Sequence, residues 1–312
     1  SSLTTCFSQC YTALLRGSYD EGRIKVAFHV LLHPRCAMSE IELQKVAYDG
    51  IVEAMAWYTV AIDTSLANCD ENRDKRFPDG GTGTLVKITK SNRERYFILT
   101  CKHVFRPNYD ETKISFLLRS PDPMVSSPKS EMKNFPLNKI NKTYMRKLTI
   151  KNRFYSNYLD DLALIEIDAS RLIDEGYRFY SFPNDFQNLP NPQTEVYLLG
   201  FSRELYRLVS KDGGFGVFPY SANSLILPPA DDLDSKFDVS KHFLIDYIEN
   251  EDAVAPEGLS GCGIWYRTPS GRDNIWTPNL HLIGVQSACY KKKKFLKATK
   301  IERIIALMDT LN

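Results

Sequence analysis

The chain has 312 residues, of which 43% are hydrophobic and 25% are charged, values that are ordinary for a globular protein and exclude a disordered or fibrous one. Its 40 basic and 38 acidic residues leave a formal net charge of +2, which does not favour nucleic acid or an anionic membrane surface as a partner. No apolar run approaches the ~18 residues that cross a bilayer, and the sequence does not open with a secretory signal.

The seven cysteines are odd in number and irregularly spaced, so the sequence does not predict a disulfide framework. This pattern is typical of a reducing compartment. We therefore expect a cytoplasmic protein, the alternative being that a signal was removed before residue 1.

Residues 1–70 differ from the rest and are predicted to form an accessory segment that is small α/β or mainly helical. Ser39 with Glu42 fits a capping box, and apolar residues recur about every four positions as far as Ile62, which predicts one long helix. The polar residues 68–79 then predict a linker, so we place a domain boundary there and a second domain over residues 71–312.

The second domain shows short apolar segments separated by turn signals, a pattern that predicts an all-β barrel or sandwich. Residues 119–142 are rich in proline and basic residues and are expected to form a surface excursion. A last helix is predicted over residues 299–311, with Thr299 and Glu302 as a second capping box. The predicted strands are residues 84–90, 95–101, 114–118, 145–150, 162–167, 195–200, 215–219, 242–248, 262–266, 280–287 and 294–298.

The stretch with the clearest chemical content is residues 257–265, E-G-L-S-G-C-G-I-W, which places Ser260 between two glycines. A serine hydroxyl is a poor nucleophile at neutral pH and needs a nearby base and donors for the oxyanion that forms. Glycines allow the sharp turn that exposes such a side chain. Small residues also cluster in ordinary turns, so this stretch alone does not decide the function.

Candidates for the base and its partner acid lie upstream. Of the five histidines, only His103 ends an apolar strand and is followed by a tight polar segment, in F-I-L-T-C-K-H-V-F. Asp161 opens an apolar strand in Y-L-D-D-L-A-L-I-E-I, with Asp160 as its competitor. His242 and His281 are interpreted as strand residues without partners.

Five motifs in chain order together resemble the landmarks of the chymotrypsin-like (trypsin-like) serine peptidases. They are G-G-T-G-T-L-V, I-L-T-C-K-H-V, D-D-L-A-L-I-E-I, G-L-S-G-C-G-I-W and L-I-G-V-Q-S, and the order His, Asp, Ser is also that of the family. The resemblance runs from about residue 80 through the C-terminal helix. It implies an all-β fold of two packed six-stranded β-barrels, at about residues 80–185 and 190–298.

The resemblance also implies the roles of the site residues. His103 would be the general base, Asp161 the acid that orients it and Ser260 the nucleophile of a serine endopeptidase. The backbone N–H groups of Gly258 and Ser260 would form the oxyanion hole. The expected partner is a protein or peptide substrate, and neither a cofactor nor a metal is expected.

Substrate-binding positions carried over from the family are Val254, Ser287 and Cys289, none of them acidic, which predicts a small or medium apolar residue before the cut. Leu259 stands where the family often has an aspartate, so activation by a freed N-terminus is not expected. The basic run at residues 291–294 has two interpretations, a solvated hairpin tip or a site that attracts acidic substrate residues; the hairpin tip is preferred.

Several alternatives remain open. Cys262 is a rival nucleophile, since related viral peptidases use cysteine in this fold. Cys6, Cys10, His29 and His33 have a spacing that zinc sites can show, although a helix face and a strand packed on the protease explain them as well. Residues 1–70 could bind a regulatory protein, and the whole chain could be a protease-like fold used as a binding or scaffold module.

Overall fold

A computed structural model describes residues 40–64, 80–90, 92–105, 109, 114–119, 143–146, 150–182, 189–202, 220–230, 233, 236–247, 255–268 and 279–311. The predictions for Ser39, for the four zinc candidates, for Val254 and for a strand at 215–219 lie outside these residues. No helix in these ranges is both long and apolar enough to cross a membrane.

The first described element is helix α1, Glu40–Ala56, and strand β1, Thr59–Asp63, follows it. The prediction that one helix continues to Ile62 is therefore wrong at its C-terminal end. Thr59 leaves the helix with its hydroxyl bonded to the carbonyl of Met55 at 2.9 Å. The β-branched residues that follow are buried in a sheet, so residues from before the predicted linker belong to the β structure.

The first sheet contains eight strands in the order β5-β4-β1-β2-β3-β7-β6, with β8 paired in parallel to β2. Its β2–β3 hairpin pairs Lys90 with Arg93. A short helix α2, Ser170–Asp174, separates β7 from β8, and every residue of β7 is buried. The strands after β1 are β2 Gly80–Lys90, β3 Arg93–Cys101, β4 Ser115–Arg119, β5 Thr143–Arg146, β6 Ile150–Asn157, β7 Leu162–Ile167 and β8 Tyr180–Ser181.

The second sheet is a closed six-stranded antiparallel barrel in the order β10-β11-β14-β13-β12-β9. Its interior is a cluster of buried apolar residues that includes Leu198, Ile245 and Ile264. The all-β prediction is confirmed, with a closed barrel, a further sheet and a C-terminal helix. The strands are β9 Glu195–Gly200, β10 Tyr220–Leu227, β11 His242–Asp246, β12 Gly263–Arg267, β13 Leu280–Tyr290 and β14 Phe295–Lys300.

Helix α3, Ile301–Asp309, closes the chain and buries its apolar face. The predicted capping box is wrong: the N-cap residue is Lys300, and no side chain caps the helix. The hydroxyl of Thr299 is used elsewhere, because it donates to the carbonyl of Asp160 at 3.1 Å. The last turn is tied to the first sheet by Lys90, whose ammonium donates to the carbonyl of Leu311 at 2.7 Å.

Candidate active site

His103 lies on a short 3-10 helix, Lys102–Val104, that begins where β3 ends. The backbone N–H of Lys102 donates to the carbonyl of Asp161 at 3.0 Å, which turns the chain away from the sheet. The His103 side chain is 48% exposed. The imidazole is therefore accessible to a reactant while its backbone is fixed.

Asp161 holds the imidazole from the turn between β6 and β7. Its Oδ1 accepts the backbone N–H of His103 at 2.9 Å, and its Oδ2 lies 2.6 Å from His103 Nδ1. With Nδ1 as the donor to this carboxylate, Nε2 is left as the acceptor, the tautomer that a general base requires. Asp161 has φ of 53°, in the left-handed region that aspartate tolerates better than most residues.

The neighbouring Asp160 has a different environment. Its carboxylate is fully buried, and its Oδ2 accepts from Arg303 Nη2 at 2.7 Å and Nε at 3.0 Å. The same oxygen also accepts the side-chain amide of Asn157 at 2.7 Å. Of the two consecutive aspartates, only Asp161 contacts His103, and Asp160 anchors helix α3.

Ser260 lies in the loop that precedes β12, and two glycines shape this loop. Gly258 has φ of +95° and Gly261 has φ of +93°, a conformation that other residues rarely adopt. At Gly261 a Cβ would also collide with the carbonyl of Thr82 and the hydroxyl of Thr100. Leu259 points into the barrel and is fully buried, so the loop is anchored on that side.

The backbone N–H groups of this loop divide into two sets. Those of Leu259, Gly261 and Cys262 donate to backbone carbonyls at 2.9 to 3.1 Å. Those of Gly258 and Ser260, the two predicted oxyanion donors, have no hydrogen-bond acceptor among the described residues. These two donors belong to the serine itself and to the residue two positions before it.

Thr82 positions the loop that carries Ser260, a role that was not predicted from the sequence. Its backbone N–H donates to the carbonyl of Ser260 at 2.8 Å, and its hydroxyl donates to the carbonyl of Gly258 at 2.9 Å. Both carbonyls that flank the unengaged donors are thus fixed by one residue of β2. The sequence signal for this role was the first threonine of G-G-T-G-T-L-V, a motif that served in the prediction only as a family landmark.

The turn that carries His103 and the loop that carries Ser260 meet at Gly81. A Cβ placed there would lie 2.6 Å from Val104 Cγ2 and 2.7 Å from the carbonyl oxygen of Ser260. The hydrogen bonds of the described residues do not include one between His103 Nε2 and Ser260 Oγ. The structure thus joins His103 to Asp161 and brings their turn to the serine loop without that last bond.

The two described substrate-binding candidates lie on β13. Ser287 is buried, and its hydroxyl makes a long contact of 3.4 Å with the carbonyl of Lys297 on β14. Cys289 is half-buried against the barrel core. The rival nucleophile Cys262 is fully buried, and burial raises the pKa of its thiol to about 12, which suppresses the reactive thiolate.

The interpretation of His242 and His281 as residues without partners is wrong, although both lie in strands. Nδ1 of His242 accepts the backbone N–H of Asp238 at 3.0 Å, and burial with the charge of Lys297 lowers its pKa to about 4. His281 Nε2 lies 3.4 Å from the hydroxyl of Thr268, and burial lowers its pKa as well. Both histidines are therefore structural.

Cys101 adds a thiol beside the pair, and one potential ligand atom from each of Cys101, His103 and Asp161 lies within 4.8 Å of the others. The thiol donates to the carbonyl of Gln286 at 3.0 Å. Burial, followed by the charge of Asp161, raises its pKa well above the usual range. Both oxygens of Asp161 approach His103 in this group, Oδ1 at its backbone N–H and Oδ2 at Nδ1.

The basic turn at residues 291–294 lies close to the serine loop. Lys291 pairs with Glu257, the residue directly before Gly258, and both side chains are exposed. The hydrogen bond that Lys291 donates to Glu257 raises the pKa of the Lys291 ammonium. The turn is thus a hairpin tip, as preferred from the sequence, and it contacts the loop that carries the two unengaged donors.

Comparisons with known proteins gave no assignment: the chain matched no model of a protein family and no curated protein.

Proposed function

We propose that the chain is a serine endopeptidase of the chymotrypsin-like class. The observation that carries this proposal is the hydrogen-bonded pair of His103 Nδ1 and Asp161 Oδ2, which leaves Nε2 as a base. Further support comes from the backbone N–H groups of Gly258 and Ser260, which have no hydrogen-bond acceptor among the described residues. A base, an orienting acid, a nucleophile and two oxyanion donors are the full set that acyl transfer uses.

In the proposed reaction, Ser260 Oγ attacks the carbonyl carbon of a peptide bond and its proton passes to His103 Nε2. The N–H groups of Gly258 and Ser260 then stabilise the oxyanion. The imidazolium returns the proton to the leaving amine as the C–N bond breaks, and water hydrolyses the acyl-enzyme with the same histidine as base. Asp161 fixes the ring and stabilises the imidazolium in both steps.

The substrate is a protein or peptide, and the sequence favours a small or medium apolar residue before the cut. Catalytic hydrogen bonds are often long without substrate, so the bond between His103 and Ser260 is expected to form on binding. Cys101 and Cys262 are free thiols, which supports a reducing compartment such as the cytoplasm. Residues 1–70 are the proposed site for a regulatory partner.

The decisive experiment compares the wild-type chain with Ser260→Ala in peptide cleavage and in labelling by a fluorophosphonate. We expect the variant to lose labelling and to lose turnover by about 10⁴- to 10⁶-fold while keeping its circular dichroism spectrum. Ser224→Ala is a matched control, because this hydroxyl lies in β10 and bonds to the carbonyl of Asp246. Equal labelling of wild type and Ser260→Ala would refute the proposal.

The unmade bond between Ser260 and His103 favours a second candidate, a binding or scaffold module that has the protease fold without its activity. The same experiment separates the two. A wild-type chain that neither cleaves peptides nor reacts with fluorophosphonate, alone or with a binding partner present, would support the module.

A further inference from the structure

Lys102, the residue before His103, is buried in an unusual way. Lysine is almost never buried unless its charge is paired, yet only 8% of Lys102 is exposed. Its ammonium lies 5.4 Å from the ring centroid of Tyr109, 4.9 Å from that of Phe154 and 5.1 Å from that of Tyr158. No ion pair of the described residues includes it. Among the described residues, three aromatic faces therefore surround the cation.

The three rings are not equivalent. Tyr109 and Phe154 pack against each other and against Phe105, with centroids 5.2 to 5.8 Å apart, so they form a fixed inner wall. Tyr158 is 78% exposed and covers the ammonium from outside. Its position follows from the turn at residues 158–161, which ends in Asp161. The cation thus contacts the first residue of the turn whose last residue holds His103.

We infer that Lys102 is a positioning residue for the proposed reaction, because it holds this turn at both ends. Its backbone N–H donates to the carbonyl of Asp161, and its ammonium packs against the ring of Tyr158. Asp161 adopts a left-handed conformation that costs on the order of 1 kcal/mol and persists only where the surroundings enforce it. The two contacts supply that enforcement, so that both carboxylate oxygens stay aimed at His103. The inference rests on the proposed function.

Aromatic rings have one chemical advantage over an acid as neighbours of this cation. A carboxylate beside Lys102 would place a second anion close to His103 and would compete with Asp161 for the imidazole N–H. Aromatic faces attract a cation through their quadrupole and add no hydrogen-bond acceptor of that strength. Lys102 can thus be fixed next to the pair without disturbing the tautomer of the imidazole.

Tyr158 provides the sharpest test, because truncating an exposed side chain costs little stability. The variants are Tyr158→Ala and Lys102→Met, compared with the conservative Tyr158→Phe and Lys102→Arg. Leu159→Ala is the matched control, since Leu159 is the next residue, is 82% exposed and is not among the rings around Lys102. The readouts are the rate of Ser260 labelling by a small fluorophosphonate and the low-field proton resonance of His103 Nδ1–H.

We expect Tyr158→Ala and Lys102→Met each to slow labelling by between about threefold and thirtyfold and to weaken the low-field resonance. The double variant should be labelled little more slowly than either single variant, because both substitutions remove the same contact. The conservative variants and Leu159→Ala should stay near the wild-type rate. A small reagent does not occupy extended subsites, so a slower rate reports on positioning and not on peptide binding.

The inference is overturned if Leu159→Ala slows labelling as much as Tyr158→Ala. It is equally overturned if the effects of Lys102→Met and Tyr158→Ala on the labelling rate multiply in the double variant. It is also overturned if Tyr158→Ala changes only KM for long peptides. If the wild-type chain is not labelled at all, the proposed function fails, and the low-field resonance alone then decides whether Lys102 orders the pair. Should Lys102→Met fail to fold, the two Tyr158 variants provide the answer.

Discussion

His103 and Asp161 each follow a strand of the first sheet, and hydrogen bonds from His103 to the Asp161 carboxylate hold the two together. Ser260 instead precedes a strand of the closed barrel and is held by hydrogen bonds of its main chain. On the barrel side the fixed groups are carbonyls, which bond to Thr82, and glycines in a conformation that few residues adopt. The serine hydroxyl has no hydrogen-bond partner among the described residues.

This difference separates two kinds of damage. A side chain of the His103 pair can be replaced by one of the same shape, which should alter the chemistry and leave the fold intact. A change in the serine loop alters the backbone, so it should lower stability and activity together. Asp161→Asn and Gly261→Ala, each with a matched control, test this contrast, and a third variant tests the barrel alone.

The largest effect is expected for Asp161→Asn. The amide keeps the shape of the side chain but cannot hold Nδ1 as the proton donor with the same charge, so kcat should fall by about 10⁴-fold. The melting temperature should change little, because Asp161 is partly exposed. Steady-state cleavage and thermal unfolding measure the two quantities.

Asp160→Asn is the matched control, one residue away. It leaves Arg303 beside a neutral group, so the free energy of unfolding should fall by about 2 to 3 kcal/mol, while turnover of the folded protein stays nearly unchanged. If the two aspartates exchanged these effects, the assignment of Asp161 as the orienting acid would be wrong.

The second effect concerns Gly261→Ala on the barrel side. A methyl group there would meet the carbonyl of Thr82 and would require a positive φ, so stability should fall by roughly 3 kcal/mol, with loss of activity. Gly50→Ala is the control, because a Cβ at Gly50 has no neighbour within 4 Å, and it should stabilise helix α1 by about 0.5 to 1 kcal/mol. Chemical denaturation measures both; a fully stable Gly261→Ala protein would contradict the backbone argument.

The smallest effect is a pH dependence of stability that originates in the barrel at His242. Its pKa is about 4 in the folded state, below the usual value of about 6.5, so the unfolded chain binds more protons between these values. Stabilisation is complete above about pH 6.5 and is lost as the pH falls toward 4. The loss should be on the order of 1 to 2 kcal/mol, because solvent screens a partly buried ring.

His242→Asn isolates this contribution, since its amide oxygen can replace Nδ1 as acceptor for the N–H of Asp238. Stability of the variant, measured by denaturant unfolding from pH 4 to 7, should depend less on pH than that of the wild type. An unchanged pH dependence would place the titrating group elsewhere.

Local patterns predicted much of the β structure. The strands expected at 162–167 and 195–200 have the bounds of β7 and β9, because apolar runs bounded by turn signals are decided within a few residues. Helical periodicity failed at Ile62, since the strand there forms by pairing with β2 and β4, which are distant in sequence. Tertiary pairing outweighed the local preference.

The candidate site shows the same limit. The position of Asp161 at the start of an apolar strand and the resemblance of D-L-A-L to the family motif selected it as the partner of His103, and the structure joins the two. The capping box at Thr299 failed because its hydroxyl bonds to a carbonyl 139 residues away, which no local pattern contains. The roles of Thr82 and Lys102 were missed for the same reason, since each depends on contacts with other strands and loops.

The ion pair between Asp160 and Arg303 has a consequence for protein synthesis. The carboxylate of Asp160 is buried in the turn that holds His103, yet the arginine bonded to it, Arg303, lies 143 residues further along the chain in helix α3. Until residue 303 emerges, the carboxylate would lack both hydrogen bonds from the guanidinium and would have Lys241 only at 4.0 Å, so we expect the turn to stay open in a nascent chain that ends before residue 303. An ordered His103–Asp161 pair would then first appear after residue 303 has emerged, which would delay any proteolytic activity until that point.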